Sequence, residues 1–250
     1  MSDPETHIPL PLLILTPLES EADALIQGLS SVLGAPSRDS LDGISDFQGR
    51  VLVRYLGAGE SPADSLPSWL SSRSFGTVIL SGFAGGISPG LTTGRLFVLG
   101  RICREGRQTL EFPEVHWWAV NLGMTIGEAV QVGQIVTFPE EKKRLYERTR
   151  ADIVDMESHS WMEAIRKTGV NGIVIRVVSD TSDDALPAEL DAFAGPDGRM
   201  QLFSGLGALF RKPAALARFL RILPSLLRAR KTLVSLGRKL GMIVREGGTV

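Results

Sequence analysis

Leu10-Pro-Leu-Leu-Ile-Leu-Thr16-Pro-Leu-Glu-Ser-Glu21-Ala22 is the stretch on which the fold turns. Residues 10–15 form an apolar run without polar alternation, the pattern of a strand buried on both faces. Thr16-Pro17-Leu18-Glu19 follows at once. Thr16 suits an N-cap, Pro17 suits the first helical position, and Glu19 closes a capping box. Leu18, Ala22, Leu25, Ile26 and Leu29 then recur at helical spacing. A buried strand feeding straight into a helix is the opening of an α/β layer structure.

The same alternation continues outward from this unit. Residues 51–56 read as a strand ending in Gly57-Ala58-Gly59, with a helix from Pro62 onward. Residues 77–81 read as a third strand, closed by the loop Gly82-Phe83-Ala84-Gly85-Gly86, and residues 95–99 as a fourth. Residues 151–154 run into Asp155-Met156-Glu157 and a helix with Ser158, Trp161, Met162 and Ile165 on one face. Residues 172–178 form the last clear strand, ended by Ser179-Asp180-Thr181. Between 100 and 138, Gly106, Pro113 and Gly123 punctuate a segment that supports no assignment. Beyond Pro187 the pattern is helical, interrupted by Gly195-Pro196, Pro213 and Pro224. The expectation is a single α/β domain over 8–185, with a central, mostly parallel but mixed twisted sheet flanked by helices. A C-terminal helical, basic extension over 186–250 completes it.

Composition sets outer bounds. With 43% hydrophobic residues in 250, a sizeable core can be buried. One cysteine, Cys103, permits no intrachain disulfide. The first seven residues carry two acids and no basic residue, unlike a secretory signal, and no uncharged apolar run is long enough to span a bilayer. A cytoplasmic protein is expected. The net charge of −1 hides an asymmetry: residues 199–240 hold ten Lys/Arg and no Asp or Glu, so the remainder is acidic.

Several chemistries fall away. His7, His116 and His159 are widely spaced, so no zinc pattern exists, and Asp180, Asp183 and Asp184 lack EF-hand spacing. No P-loop, Gly-x-Gly-x-x-Gly or Gly-x-Ser-x-Gly occurs. No metal and no cofactor are therefore expected. The basic segment has few aromatics, which argues against nucleic acid.

Open α/β sheets bind ligands at the carboxyl ends of their strands. Glu21, Gly57, Gly59, the Gly82–Gly86 loop, Met156, Glu157 and Asp180 all fall at such ends. Each has a plainer reading: Glu21 a dipole-stabilised helical acid, Asp155 a cap, Glu157 a first-turn acid, Asp180 a turn former. Position alone does not choose between these readings and a shared site.

Three segments together resemble the nucleoside phosphorylase–nucleosidase superfamily. They are Thr16-Pro-Leu-Glu-Ser-Glu21-Ala22, then Ser81-Gly-Phe-Ala-Gly-Gly-Ile-Ser-Pro-Gly-Leu91, then Val154-Asp-Met-Glu-Ser158 with Arg176-Val-Val-Ser-Asp-Thr181. Pro139-Glu-Glu-Lys-Lys-Arg-Leu145 and the tail segments Asp197-Gly-Arg199, Arg211-Lys-Pro213 and Leu226-Leu-Arg-Ala-Arg230 are most similar to the hopanoid-associated phosphorylases. The resemblance implies cleavage of a purine nucleoside, releasing adenine from the lipid-linked adenosylhopane in hopanoid biosynthesis. It implies Asp180 as the acid toward the purine, Glu21 as the base that activates water, and Glu157 with Met156 at the ribose. It places Phe83, Ala84, Gly85, Phe138 and Ser179 around the purine, and Gly57 and Gly59 near the phosphate or water.

The phosphorylase branch carries an arginine ahead of the glycine-rich loop, where this chain has Val78-Ile79-Leu80. Hydrolysis is therefore favoured over phosphorolysis, for which phosphate would be co-substrate. Two alternatives stand: a nucleosidase for methylthioadenosine, adenosylhomocysteine or futalosine, and a non-catalytic nucleoside-binding module. The resemblance also implies a homo-oligomer. A basic amphipathic segment over 199–240, with Leu202, Phe203, Leu206, Leu209 and Phe210 and then Leu216, Phe219, Leu220 and Leu223 at helical intervals, suits either packing or peripheral contact with the inner face of a membrane.

Overall fold

The computed structural model describes residues 9–39, 43–187 and 213–246. The strands in chain order are β1 (Leu12–Thr16), β2 (Ser37–Asp39), β3 (Ile44–Phe47), β4 (Val51–Tyr55) and β5 (Thr77–Gly86). They continue with β6 (Leu96–Arg104), β7 (Leu110–Glu111), β8 (Thr125–Gln131), β9 (Ile153–Asp155) and β10 (Asn171–Asp180). The helices are α1 (Glu19–Leu33), α2 (Pro62–Ser71), α3 (His116–Leu122), α4 (Pro139–Thr149), α5 (Ser158–Arg166) and α6 (Pro213–Glu246).

These strands build one mixed sheet in a single α/β domain flanked by helices. β4, β1, β5 and β10 form one parallel run, with all five residues of β1 buried as their unbroken apolar run requires. The arm β4-β3-β2 is open and antiparallel. On the other side the sheet closes on itself: β5 pairs β10, β10 pairs β6, β6 pairs β8, β8 pairs β9, and β9 returns to β5. Of this ring, β8 and the second half of β6 come from the stretch that the sequence leaves unassigned, where short elements alternate between glycines and no window shows a clean period.

Two boundaries differ from expectation for physical reasons. Thr16 remains paired in β1 opposite Tyr55, so the helix begins two residues later with Leu18 as N-cap. Glu21 then occupies the third helical position, and its Oε2 accepts the Leu18 N–H at 2.9 Å. The glycine-rich segment is not a loop after β5 but its second half. Ser81 to Gly85 pair with β10, and Gly85 and Gly86 pair with β9.

The C-terminal helix is part of the core. Ala229, Leu233, Leu236, Leu240 and Val244 bury one face of α6 with the sheet and α1. α1 and α6 cross at backbone contact: a Cβ on Gly28 would lie 2.0 Å from the Val234 carbonyl oxygen, and one on Gly237 2.3 Å from that of Leu25. Pro224 lies inside α6 without ending it. The expected apolar positions from Leu202 to Phe210 lie outside the described residues. Within α6, Ala215, Ile222 and Ala229 turn inward, while of the expected apolar positions Leu216, Phe219 and Leu223 are half-buried and Leu220 is exposed, as is Leu227.

Candidate active site

Ring closure brings the ends of β5, β9 and β10 beside the start of α1, and Glu21, Glu157 and Asp180 all become buried there. Glu21 is held from two sides. Its Oε1 accepts the Phe83 N–H of β5 at 2.7 Å, and its Oε2 the Leu18 N–H. Burial pushes this carboxyl up to about 7, against those hydrogen bonds and Arg176, which pull it down. A group near 7 divides between acid and base at neutral pH, as a proton-transferring residue requires.

Glu157 follows β9 at the start of α5. Its Oε1 accepts the Gly59 N–H at 2.9 Å, and its Oε2 accepts the Met156 N–H at 3.3 Å. Burial pushes it up to about 7 as well, with Arg176 opposing. Gly59 stands at φ 85°, and its carbonyl receives the Trp161 indole N–H, so the turn after β4 is pinned to α5. Gly57 lies in the same turn, donating to the Pro17 carbonyl.

Arg176 is the cation of this end, and sequence reasoning did not place it in the site. It lies in the middle of β10, fully buried, with Nε 2.8 Å from Asp155 Oδ2 and Nη2 3.6 Å from Glu157 Oε2. Nε and Nη2 also donate to Ser158 Oγ at 3.1 and 3.0 Å. Nη1 has no hydrogen-bond partner among the described residues. Both Nη1 and Glu21 Oε1 lie 2.8 Å from where a Cβ on Gly82 would sit. The glycine is therefore what lets a base and a cation meet against one strand. The signal was available: a single charge within Ile173-Val174-Ile175-Arg176-Val177-Val178 of a strand buried on both faces needs a partner.

Asp180 closes the end of β10. Its Oδ2 is 2.5 Å from the ammonium of Lys142, on α4, and its Oδ1 accepts the Ser179 hydroxyl at 2.5 Å. The same hydroxyl lies 3.2 Å from the Ala84 carbonyl. Burial pushes the Asp180 carboxyl up from its ordinary range, and Lys142 and then Ser179 pull it back part of the way. Gly85 is the matching gap in β5, since its Cβ would stand 3.3 Å from Asp180 Oδ2. Lys142 was also missed. A lysine in the charged run Glu140-Glu141-Lys142-Lys143-Arg144 reads as a solvated helix face, and only packing buries this one.

The remaining expected residues divide. Phe83, Ala84 and Gly85 lie on β5, Ser179 lies beside Asp180 on β10, and Met156 precedes Glu157. Phe138 is 42% exposed at the N-cap of α4, one turn before Lys142, with the Arg218 guanidinium 5.8 Å from its ring. Among the described residues no cluster suited to a metal ion occurs.

The chain matches the phosphorylase superfamily over residues 12–203. It belongs to that superfamily. Solved structures share the superfamily fold with it. The methylthioadenosine/S-adenosylhomocysteine nucleosidase of Helicobacter pylori, complexed with a pyrrolidine-based ligand, superposes with a TM-score of 0.64 at 18% identity, covering 94% of this chain and 97% of that one. Futalosine hydrolase of the same organism gives 0.59 at 19% identity, covering 86% and 96%. The methylthioadenosine nucleosidase of Arabidopsis thaliana gives 0.60 at 14% identity, covering 96% of each chain. A comparison with curated proteins returns no match.

Proposed function

We propose that this superfamily member hydrolyses the N-glycosidic bond of a purine nucleoside. The observation that carries the reading is the charge around Arg176. Its Nε and Nη2 are engaged by Asp155, Glu157 and Ser158, and Glu21 stands beside Nη1. One cation facing three carboxylates leaves the pocket negative, which repels a phosphate dianion and admits neutral water. In this reading Glu157 accepts hydrogen bonds from the ribose hydroxyls. Water held between Glu21 and Arg176 Nη1 attacks C1′ and gives a proton to Glu21. The C1′–N9 bond breaks, its electron pair passes to the purine, and Asp180 protonates N7. The sugar passes through an oxocarbenium-like state, as in glycoside hydrolysis.

For the group on the sugar, the similarity of Pro139–Leu145 and the C-terminal segments to hopanoid-associated proteins supports adenosylhopane. Exposed Leu220 and Leu227, among the exposed Arg218, Arg221 and Arg228 of α6, support contact between this helix and an anionic inner membrane face. No helix among the described residues is long and apolar enough to cross a membrane. Methylthioadenosine, adenosylhomocysteine and futalosine are the second reading, favoured by the fold likeness to nucleosidases whose names carry them. The test is base release from adenosine, methylthioadenosine, futalosine and an adenosine bearing an apolar 5′ chain, with and without phosphate. Release of base in phosphate-free buffer is expected. Strict dependence on phosphate overturns hydrolysis, and the best substrate decides between the two readings.

A further inference from the structure

Lys142 is a helix residue with no exposed surface. Its ammonium has three protons and three oxygen partners: Asp180 Oδ2 at 2.5 Å, the Thr181 carbonyl at 2.7 Å and the Asp184 carbonyl at 3.0 Å. Burying an ammonium is costly unless every proton is bonded and a counter-charge is close. Here both conditions are met, and the counter-charge is the carboxyl of Asp180, read above as the acid toward the purine. The rest of the pairing is equally specific. Asp184 Oδ2 accepts the Thr181 N–H and hydroxyl, each at 2.8 Å, which shapes the turn that offers the two carbonyls. The Leu186 N–H donates to the Thr137 carbonyl, tying that turn to the residues just ahead of α4.

The two oxygens of Asp180 are therefore not equivalent. Oδ2 is taken by a cation that cannot accept a proton. Oδ1 faces a hydroxyl that has a second acceptor, the Ala84 carbonyl at 3.2 Å. When Oδ1 carries a proton, Ser179 can turn to Ala84; when it has lost one, Ser179 can turn back. We propose that Lys142 is a positioning residue of the purine end: it occupies Oδ2 so that the transferable proton resides on Oδ1, and it holds the carboxylate left after transfer. The step balances as an acid–base exchange. The Oδ1–H bond breaks, an N7–H bond forms, and the remaining charge on Asp180 is met by the ammonium. This inference rests on the reading of Asp180 as the acid. The charged groups acting on Asp180 are Lys142 from α4 and Asp184 from the turn after β10; β5 presents glycine there.

The test compares wild type, K142Q, K142R and D180N by the pH profile of methylthioadenosine cleavage. Infrared titration of the Asp180 carboxyl, assigned by difference against D180N, runs in parallel and needs no turnover. Losing the cation should raise the Asp180 titration and the alkaline limb of kcat/KM by about 1–3 pH units. kcat should fall about tenfold or more, with KM little changed. K142R, which keeps the charge, should return both toward wild type. A K142Q titration and limb unmoved from wild type, beside an inactive D180N, overturns the role of Lys142 alone. A fully active D180N overturns the acid reading and this inference with it, whatever the infrared shift.

Discussion

The two ends of the site handle buried charge differently. Around Arg176, at the end proposed to hold the sugar, the carboxylates of Asp155, Glu157 and Glu21 outnumber the cation, and burial pushes both glutamates up to about 7 against its pull. At the end proposed to hold the purine, Lys142 and Asp180 are matched one to one. Carboxyls that burial holds near neutrality suit the base and the sugar clamp of the proposed mechanism. The matched pair suits the proposed acid, whose conjugate base is already compensated.

Removing the shared cation should break this contrast most severely. R176M leaves three buried carboxyls without their counter-charge and is expected to lose about 3–5 kcal/mol of stability at pH 8. Urea unfolding measures it, and the deficit should shrink at pH 5 as the carboxyls take up protons. A variant as stable as wild type would mean the sugar end does not depend on this cation.

Next in size is E21Q. Its kcat/KM is expected to fall by about 10²–10⁴-fold, with the protein still folded. The same variant sharpens the titration argument. Glu21 ordinarily titrates at 4.5 and here near 7, so over that window the native state holds a proton that the unfolded chain has released. Stability must then fall as pH rises from about 4.5 to about 7. The urea midpoint of E21Q should decline less steeply over that range, with Glu157 supplying the slope that remains.

The smallest effects separate the ends through glycine. G82A drives a methyl to 2.8 Å from both Arg176 Nη1 and Glu21 Oε1 and should cost about 1–3 kcal/mol. G85A meets Asp180 Oδ2 at 3.3 Å and should cost less. Thermal melts of the two variants give the order, and a reversed order would place the tighter packing at the purine end.

Much of the scaffold was legible because it depends on local periodicity. The apolar runs at β1, β4 and β10 and the helical spacing of α1 and α5 announce themselves. Beyond the start of β6, the middle of the chain did not, since β7, β8 and α3 lie among glycines and a proline and show no clean period. Of the site, Glu21, Glu157 and Asp180 were recognisable as polar residues at strand ends. Arg176 and Lys142 were not, because a buried cation is identified by what surrounds it. Arg176 stood in view inside an apolar strand, whereas Lys142 was indistinguishable from its charged neighbours on α4.

By itself, the sequence determined the α/β class, the strand-to-helix entry that carries Glu21, and the three carboxylates with the superfamily they resemble. Those follow from propensity, spacing and residue type, which act over a few neighbours. Only the tertiary structure decided that β9 returns to β5, that the glycine-rich segment is strand rather than loop, and that each end of the site has its own cation. Burial and charge pairing depend on residues far apart in the chain. A carboxylate's proton affinity is therefore set by the fold that surrounds it rather than by its place in the sequence.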